Sequence, residues 1–448
     1  MIKIEKIELN NFRFFIDEEE NNTFKPNAKG MLVYGENGSG KSSLYKAFDF
    51  LTKPTIAEEE FAKSINIFKQ DDTYLEFEFD NNETLKIDGD HLSLGSDYDF
   101  IKTLSVSKPI IDYKLLLKVS YSTEQEEKKD LYKFFENILS QYPIGQNKIL
   151  KNLKEEEDES YFSVFEKILK EELFDEINIF LELFEQNFKL TEINFSALFQ
   201  KINLKIEYFE SERTDYQNFL NEARLSALAM SIYFAIIKKQ FDNLEDNSLK
   251  ILVLDDLLIS LDMNNRLSLI EILESEFSDF QIFFFTHEKA LYDLINEKMN
   301  LKAYEIYVNK KDGYEVPFIK QSNSLMTQAI YQKETQNYGC SANILRQYTE
   351  KLLCDFLPKE LILDRRCKVS NLDTLLKKAK KYEETKPTTT KNQEIIDSFV
   401  KLRTFKRVLL NDASHYNSTE IYKSEVENTI EVLTTLEDLI PSMEMIND

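Results

Sequence analysis

The sequence predicts an α/β protein: a parallel-sheet head, a short helical insertion within it, and an α-helical C-terminal domain after it. Three observations predict this. Four of the nine glycines (Gly30, Gly35, Gly38 and Gly40) fall within eleven residues, between an apolar run and a helical pattern. The runs ILVLDD (251–256) and QIFFFTH (281–287) are apolar without alternation, as strands buried on both faces are, and a helical pattern separates them. Charge then divides the chain: of a net −24, residues up to 320 carry −23 and the rest about −1.

Taken in order, residues 2–9 alternate as a strand, and GMLVY (30–34) is a short buried strand running into the glycine cluster. A helix follows from about Lys41 to Leu51. Residues 73–79 and 84–88 alternate around Asn81 and Asn82, a hairpin pattern. The segment 109–119 is apolar and of undetermined type. From about Thr123 to Ser196 the stretches DLYKFFENIL, YFSVFEKILKEELF and INIFLELFEQNF carry apolar residues at helical spacing, which predicts several short helices. Strand character returns at 203–209, and a long apolar helix spans roughly Glu222 to Lys239. The alternation of strand and helix around 251–287 predicts a parallel sheet. Domain boundaries follow: a first lobe over 1–120, the insertion over 121–200, a second lobe over 201–320, and the helical domain over 321–448.

Composition limits the classes of function. With 42% apolar residues the chain can build a sizeable core. With 56 basic against 80 acidic residues it cannot coat nucleic acid, so any such contact needs a local basic patch. The span 365–386, with eight basic and three acidic residues, is the candidate, although a solvated helix face has the same composition. Three cysteines (Cys340, Cys354 and Cys367) match no zinc spacing and no disulfide framework. The opening residues lack the apolar run of a signal peptide, and no stretch reaches the length of a membrane span. The expectation is a cytoplasmic protein with no membrane partner.

Gly35-Glu-Asn-Gly-Ser-Gly-Lys-Ser42 fits G-x-x-x-x-G-K-[ST] between a strand and a helix. Such a loop wraps backbone N–H groups around a phosphate, here those of Asn37, Gly38, Ser39 and Gly40. The helix that follows adds its N-terminal dipole. Lys41 would neutralise phosphate charge, Ser42 would ligate Mg²⁺, and Ser43 continues the same turn. Asp255 and Asp256 end an apolar strand, the first placed to hold the metal and the second to polarise an attacking water. His287 ends the next strand, where it can meet the terminal phosphate. The bland readings of these groups are a chance glycine turn, an acidic strand end and a structural histidine.

The opening IELNNFRFF followed by YGENGSGKSSL, the run ILVLDDLLISLD and the tripeptide THE (286–288) together resemble ABC-type ATPases of the SMC/RecF class. The resemblance covers roughly 1–115 and 200–310. It implies ATP and Mg²⁺ as ligands and a nucleotide-contacting role for Arg13. It also implies a D-loop at Ser260-Leu261-Asp262 and a head-to-tail homodimer, or higher oligomer, that sandwiches ATP. Two features depart from the class. Asp256 stands where most members have Glu, and the glycine-bearing signature is replaced by FLNEARLSALA, in which Asn221 and Arg224 take the nearest places. The insertion, even as two antiparallel helices, reaches only about 55 Å. The chain is therefore similar to the compact ABC ATPases of antiphage systems rather than to ring-forming SMC proteins.

In the tail, Arg346 and Glu350 lie four apart and His415 follows at a distance. This resembles HEPN-type domains and the back half of anticodon nucleases, which implies metal-independent RNA cleavage by these three residues with tRNA as a possible partner. An ordinary helix ion pair is the competing reading. The function expected is a nucleotide-driven ATPase that gates a nuclease or toxic effector, encoded nearby, in antiphage defence. Intrinsic RNA cleavage by the tail and a RecF-like DNA-repair ATPase are the alternatives.

Overall fold

The computed structural model describes all residues except 1, 18, 95–99, 101–103, 106, 121–129, 146–147, 243–248, 258–262, 312, 322–324, 364–367, 388–390, 406–420 and 441–448. Contacts divide the chain into two compact units, Met1–Gln321 and Ser322–Asp448.

The first unit opens on β1 (Ile4–Asn10), followed by the short β2 (Thr23–Phe24) and by β3 (Gly30–Gly35). The hairpin β4 (Tyr74–Phe79) and β5 (Thr84–Asp88) joins β1 and β2 to form an antiparallel sheet of order β2-β1-β4-β5. Strands β6 (Ile110–Asp112), β12 (Ile251–Asp255), β13 (Gln281–Thr286), β14 (Lys302–Lys311) and β15 (Tyr314–Gln321) build the main sheet with β3, in the order β15-β14-β3-β13-β12-β6. All its pairings are parallel except β14 with β15.

The unbroken apolar runs are explained by the two cores. Ile251, Val253, Phe283 and Phe285 point into a core shared with the helix Lys41–Leu51 and the antiparallel sheet. Their neighbours Leu252, Leu254, Ile282 and Phe284 point into a core shared with the insertion and the helix Glu222–Asp242. Each such fully buried side chain is worth about 1.5–3 kcal/mol of transfer free energy, so these central strands anchor the site at their ends. Gln281, fully buried, pins β1 to the start of β13: its amide accepts from the Ile4 N–H at 2.8 Å and donates to the Ile4 carbonyl at 2.8 Å.

Gly30 opens β3 at φ +124°, and a Cβ there would lie 1.9 Å from the Ile282 carbonyl oxygen. Gly30→Ala is expected to destabilise the head by about 3 kcal/mol or more, read as a lower urea midpoint. An unchanged midpoint would mean that β3 and β13 do not pair in this register.

The insertion differs from the all-helical expectation. Two short strands, β7 (Pro143–Gly145) and β8 (Lys148–Ile149), interrupt it. Tyr161–Lys167 and Phe174–Leu183 are helical around a π-helical turn at Ile168–Leu173. The last helix then stops, and Phe188–Ser196 is strand β9, paired with β10 (Lys201–Tyr208), which pairs in turn with β11 (Ser211–Arg213). The stop is a Schellman turn: Gln186 N–H bonds to the Leu181 carbonyl at 3.0 Å with Glu185 at φ 53°. A glutamate holds the left-handed position that glycine usually takes. Strands β14 and β15 were also not expected from the sequence.

The second unit is helical, with Leu325–Glu334, Tyr338–Phe356, Leu372–Thr385, Gln393–Thr404 and Lys423–Leu439 around a core of its own that includes Leu345, Leu353, Leu375, Phe399 and Leu433. Asn337, Asn371 and Asn392 cap three of these helices by accepting a backbone N–H from inside the first turn.

Candidate functional site

Strands β3, β13 and β12 are parallel neighbours, so their C-terminal ends meet at one edge of the sheet. The glycine loop leaves β3 there and enters the helix Lys41–Leu51. Gly40 makes the junction at φ +110°, pressed by the Phe14 ring, to which an added Cβ would approach within 2.9 Å. Only glycine fits that conformation and that space.

Lys41 is 5% exposed, and its ammonium donates to the Gly35 carbonyl at 2.6 Å and to that of Glu36 at 3.2 Å. It also lies 4.0 Å from Asp256 Oδ2. Burial pulls the ammonium below its ordinary pKa, and the attraction of Asp256 and Asp255 only partly offsets this. Ser42 is exposed on the first turn, and its hydroxyl bonds to no other described residue. Ser43 is buried beneath it, its hydroxyl accepting from the Phe14 N–H at 3.4 Å.

Asp255 is 9% exposed at the end of β12, and its carboxyl is pushed up to about 7, first by burial and then by the charge of Asp256. Asp256 turns back at φ 50°. Its Oδ1 accepts the His287 backbone N–H at 2.9 Å and faces His287 Nδ1 at 2.8 Å. A carboxylate only accepts, so Nδ1 is the donor and Nε2 is left pointing away from the pair. Arg266 holds the residue beyond, in a two-pronged bond to Glu288 at 2.6 and 2.8 Å. Lys41, Asp255, Asp256 and His287 are therefore brought together.

The residues fit a magnesium–triphosphate ligand. Ser39 Oγ and Asp255 Oδ1 are buried without a hydrogen-bond partner, a state rare enough to need a cause. A Cβ on Gly35 would sit 2.2 Å from Ser39 Oγ, so the loop leaves no room for larger residues. No cluster of three or more His, Cys, Asp or Glu positioned for a metal lies among the described residues. A phosphate-bound magnesium needs only one or two protein ligands, the rest coming from phosphate and water. Ser42 and Asp255 could be those ligands.

One residue was missed in the sequence. Asp112 ends β6 directly beside Asp255 in the parallel register, and its charge adds to the upward push on the Asp255 carboxyl. The short apolar run ending in Asp (PIID) repeats the pattern of ILVLD, which was the available signal.

The remaining candidates lie elsewhere. Arg13, at φ 53°, borders a cavity beside Ser43. Asn221 caps the helix Glu222–Asp242, accepting the Arg224 N–H at 3.0 Å, while the Arg224 guanidinium donates to the Tyr208 hydroxyl at 2.6 Å. No hydrogen bond or ion pair among the described residues joins Asn221 or Arg224 to the phosphate loop. Asp262 and His415 fall outside the described residues. Arg346 and Glu350 make an i,i+4 ion pair with Nε to Oε1 at 3.3 Å, both partly exposed. An i,i+4 pair of this kind is what an ordinary helix ion pair makes, and if that is its whole role total tRNA survives incubation with the protein, ATP and Mg²⁺. Cleavage that disappears in His415→Ala would reverse this expectation.

A glycine loop after a central strand, carboxylates ending the strand two places away and a small antiparallel sheet packed on the loop's helix decide the architecture. The fold is an α/β head whose parallel sheet carries a glycine-rich, phosphate-binding type of loop at the C-terminal edge of its strands. It carries a short, mainly helical insertion and is followed by an α-helical C-terminal unit.

No protein-family model matches the chain, and no curated protein does. Solved structures do. The Smc head bound to the C-winged helix domain of ScpA is 12% identical at TM-score 0.45, over 72% of this chain and 99% of that one. The recombination mediator RecF with ATP is 15% identical at TM-score 0.44, over 71% and 99%. The SMC head domain from Thermotoga maritima is 13% identical at TM-score 0.38, over 72% and 99%. No helix among the described residues is long and apolar enough to cross a membrane.

Proposed function

We propose that the chain binds ATP with Mg²⁺ at the phosphate loop and hydrolyses it, with two heads meeting head to tail around the nucleotide. The observation that carries this reading is the convergence of Lys41, Asp255, Asp256 and His287, from three distant segments, at the ends of three adjacent strands.

The residues divide the work as follows. Backbone N–H groups of 37–42 and the helix dipole hold the phosphates. Lys41 gives up its bonds to the Gly35 and Glu36 carbonyls for the phosphate charge, which offsets the burial that pulls its pKa down. Magnesium, when bound at Ser42 and Asp255, supplies charge neutralisation on the phosphate oxygens. Asp256 accepts the proton of the attacking water, and His287 holds that carboxylate in place through two bonds to a single oxygen. Oδ2 remains free of His287, the oxygen open to water.

Asn221 supports the two-headed reading. Its Oδ1 is used as the helix cap, so its exposed amide group and the helix N-terminus are what it can offer to an anion on a second copy. Gating of an effector nuclease belongs to this proposal only as a downstream use of the opening and closing cycle.

Phosphate release from Mg-ATP by the purified protein, abolished by chelating the metal, is the expected result. Protein that neither retains ATP nor releases phosphate would refute the reading.

A further inference from the structure

The ladder between β13 and β3 ends where Thr286 pairs with Tyr34, and the next helix spans Lys289–Lys298. His287 and Glu288 lie between and belong to neither element. Yet Asp256 takes its orientation from His287, whose backbone N–H and Nδ1 both meet one oxygen of that carboxylate. The bonds around Glu288 therefore decide where His287 sits. Its N–H donates to Thr286 Oγ1 at 3.1 Å, and its carbonyl accepts the Tyr292 N–H at 3.0 Å. Glu288 holds the N-cap position of its helix, but its side chain makes no capping bond. Both carboxylate oxygens go to Arg266 instead, at 2.6 and 2.8 Å. A fork of this kind fixes direction as well as distance.

Arg266 reaches Glu288 from a rigid base. It lies on the first turn of the helix Met263–Ser275, and its side chain is only 14% exposed. Its neighbour Asn265 is buried, and Asn265 Oδ1 accepts from Gln186 Nε2 at 2.9 Å. Gln186 is the residue that closes the turn at the end of the insertion's last helix. Leu269, Ile272 and Leu273 sink the rest of the Met263–Ser275 helix into the core. On the far side, Lys289 is tied to Glu305 at 2.9 Å, and Leu291 and Ile295 are buried. The Lys289–Lys298 helix thus has anchors of its own, and loss of Arg266 would free His287 and Glu288 without undoing either helix.

We propose that Arg266 is a positioning residue for hydrolysis: by gripping Glu288 it fixes His287, and through His287 the Asp256 carboxylate against the attacking water. The inference rests on the ATP reading above and adds a residue to it. The Arg266 guanidinium is engaged with Glu288, so its effect falls on turnover rather than on binding. A misplacement of about 1 Å in such a group costs on the order of 100-fold in rate.

Single-turnover hydrolysis beside equilibrium ATP binding, both on the full chain, tests this. Arg266→Gln and Glu288→Gln are each expected to lower the rate by about 10- to 100-fold while ATP affinity stays within about threefold. Arg266→Lys keeps the charge but not the fork, and is expected to fall between wild type and Arg266→Gln. The sharpest measurement places Arg266→Gln in the Asp256→Asn chain. With the base already gone its placement no longer matters, so the second substitution is expected to change the rate by less than about threefold. A general weakening of the fold would instead multiply the two losses and lower ATP affinity with them. A wild-type rate in Arg266→Gln, the same proportional loss in the Asp256→Asn chain, or a loss of affinity matching the loss of rate would overturn the role. Failure of the ATP reading looks different: wild type then releases no phosphate, and this inference falls with it.

Discussion

Asp256→Asn is expected to slow ATP turnover by between about 10² and 10⁴ while leaving ATP bound. The substitution keeps the shape of the side chain, and the amide oxygen can still accept the His287 N–H that Asp256 Oδ1 accepts at 2.9 Å. The left-handed turn at φ 50° is also one that asparagine adopts readily. What is lost is the proton acceptor. Because a neutral amide near the terminal phosphate removes a like charge, affinity for ATP should hold or rise. Single-turnover hydrolysis beside equilibrium binding reads both quantities. Wild-type turnover in this variant would place the water-activating base on another residue, with Asp112 the first to examine.

Lys41→Ala is the second large effect. The ammonium is buried between the carbonyls of Gly35 and Glu36 and the carboxylates of Asp255 and Asp256. Its removal costs a desolvated charge-assisted contact to phosphate, about 3 kcal/mol or roughly 150-fold in ATP affinity. It also leaves Asp255 and Asp256 without their nearest cation, which raises the Asp255 carboxyl further and weakens metal binding. Isothermal titration with Mg-ATP would read the loss. Affinity equal to wild type would remove Lys41 from the site. The two variants separate functions: Lys41→Ala weakens binding, and Asp256→Asn binds but turns over slowly.

Parts of this site were legible in the sequence for physical reasons. The phosphate loop is local, since glycines, lysine and serine must be adjacent for backbone N–H groups to converge. Asp255 and Asp256 stood out because a carboxylate at the end of an unbroken apolar run has nowhere to go but the sheet edge. His287 was found in the same way, but its pairing with Asp256 was not, because it depends on a left-handed turn at an aspartate. Asp112 was missed because three strand residues give too little pattern to assign. The end of the helix at Leu183 was missed because Glu185, not glycine, occupies the turn, so the helical pattern ran on into β9. The Arg266–Glu288 pair was invisible because its two residues meet only through the fold. In the tail, the Arg346–Glu350 spacing was readable, but neither the spacing nor the ion pair the two residues make distinguishes a helix-stabilising pair from a catalytic one.

The reading as a whole depends on each head completing the nucleotide site of another, with Asn221 and the helix it caps supplying what no contact within one chain supplies. The rate of phosphate release per chain, measured across protein concentrations from nanomolar to micromolar at saturating Mg-ATP, tests this most directly. The rate is expected to climb with concentration and level off as heads pair. A per-chain rate that stays flat across that range, in protein that remains monomeric with ATP bound, would contradict the account.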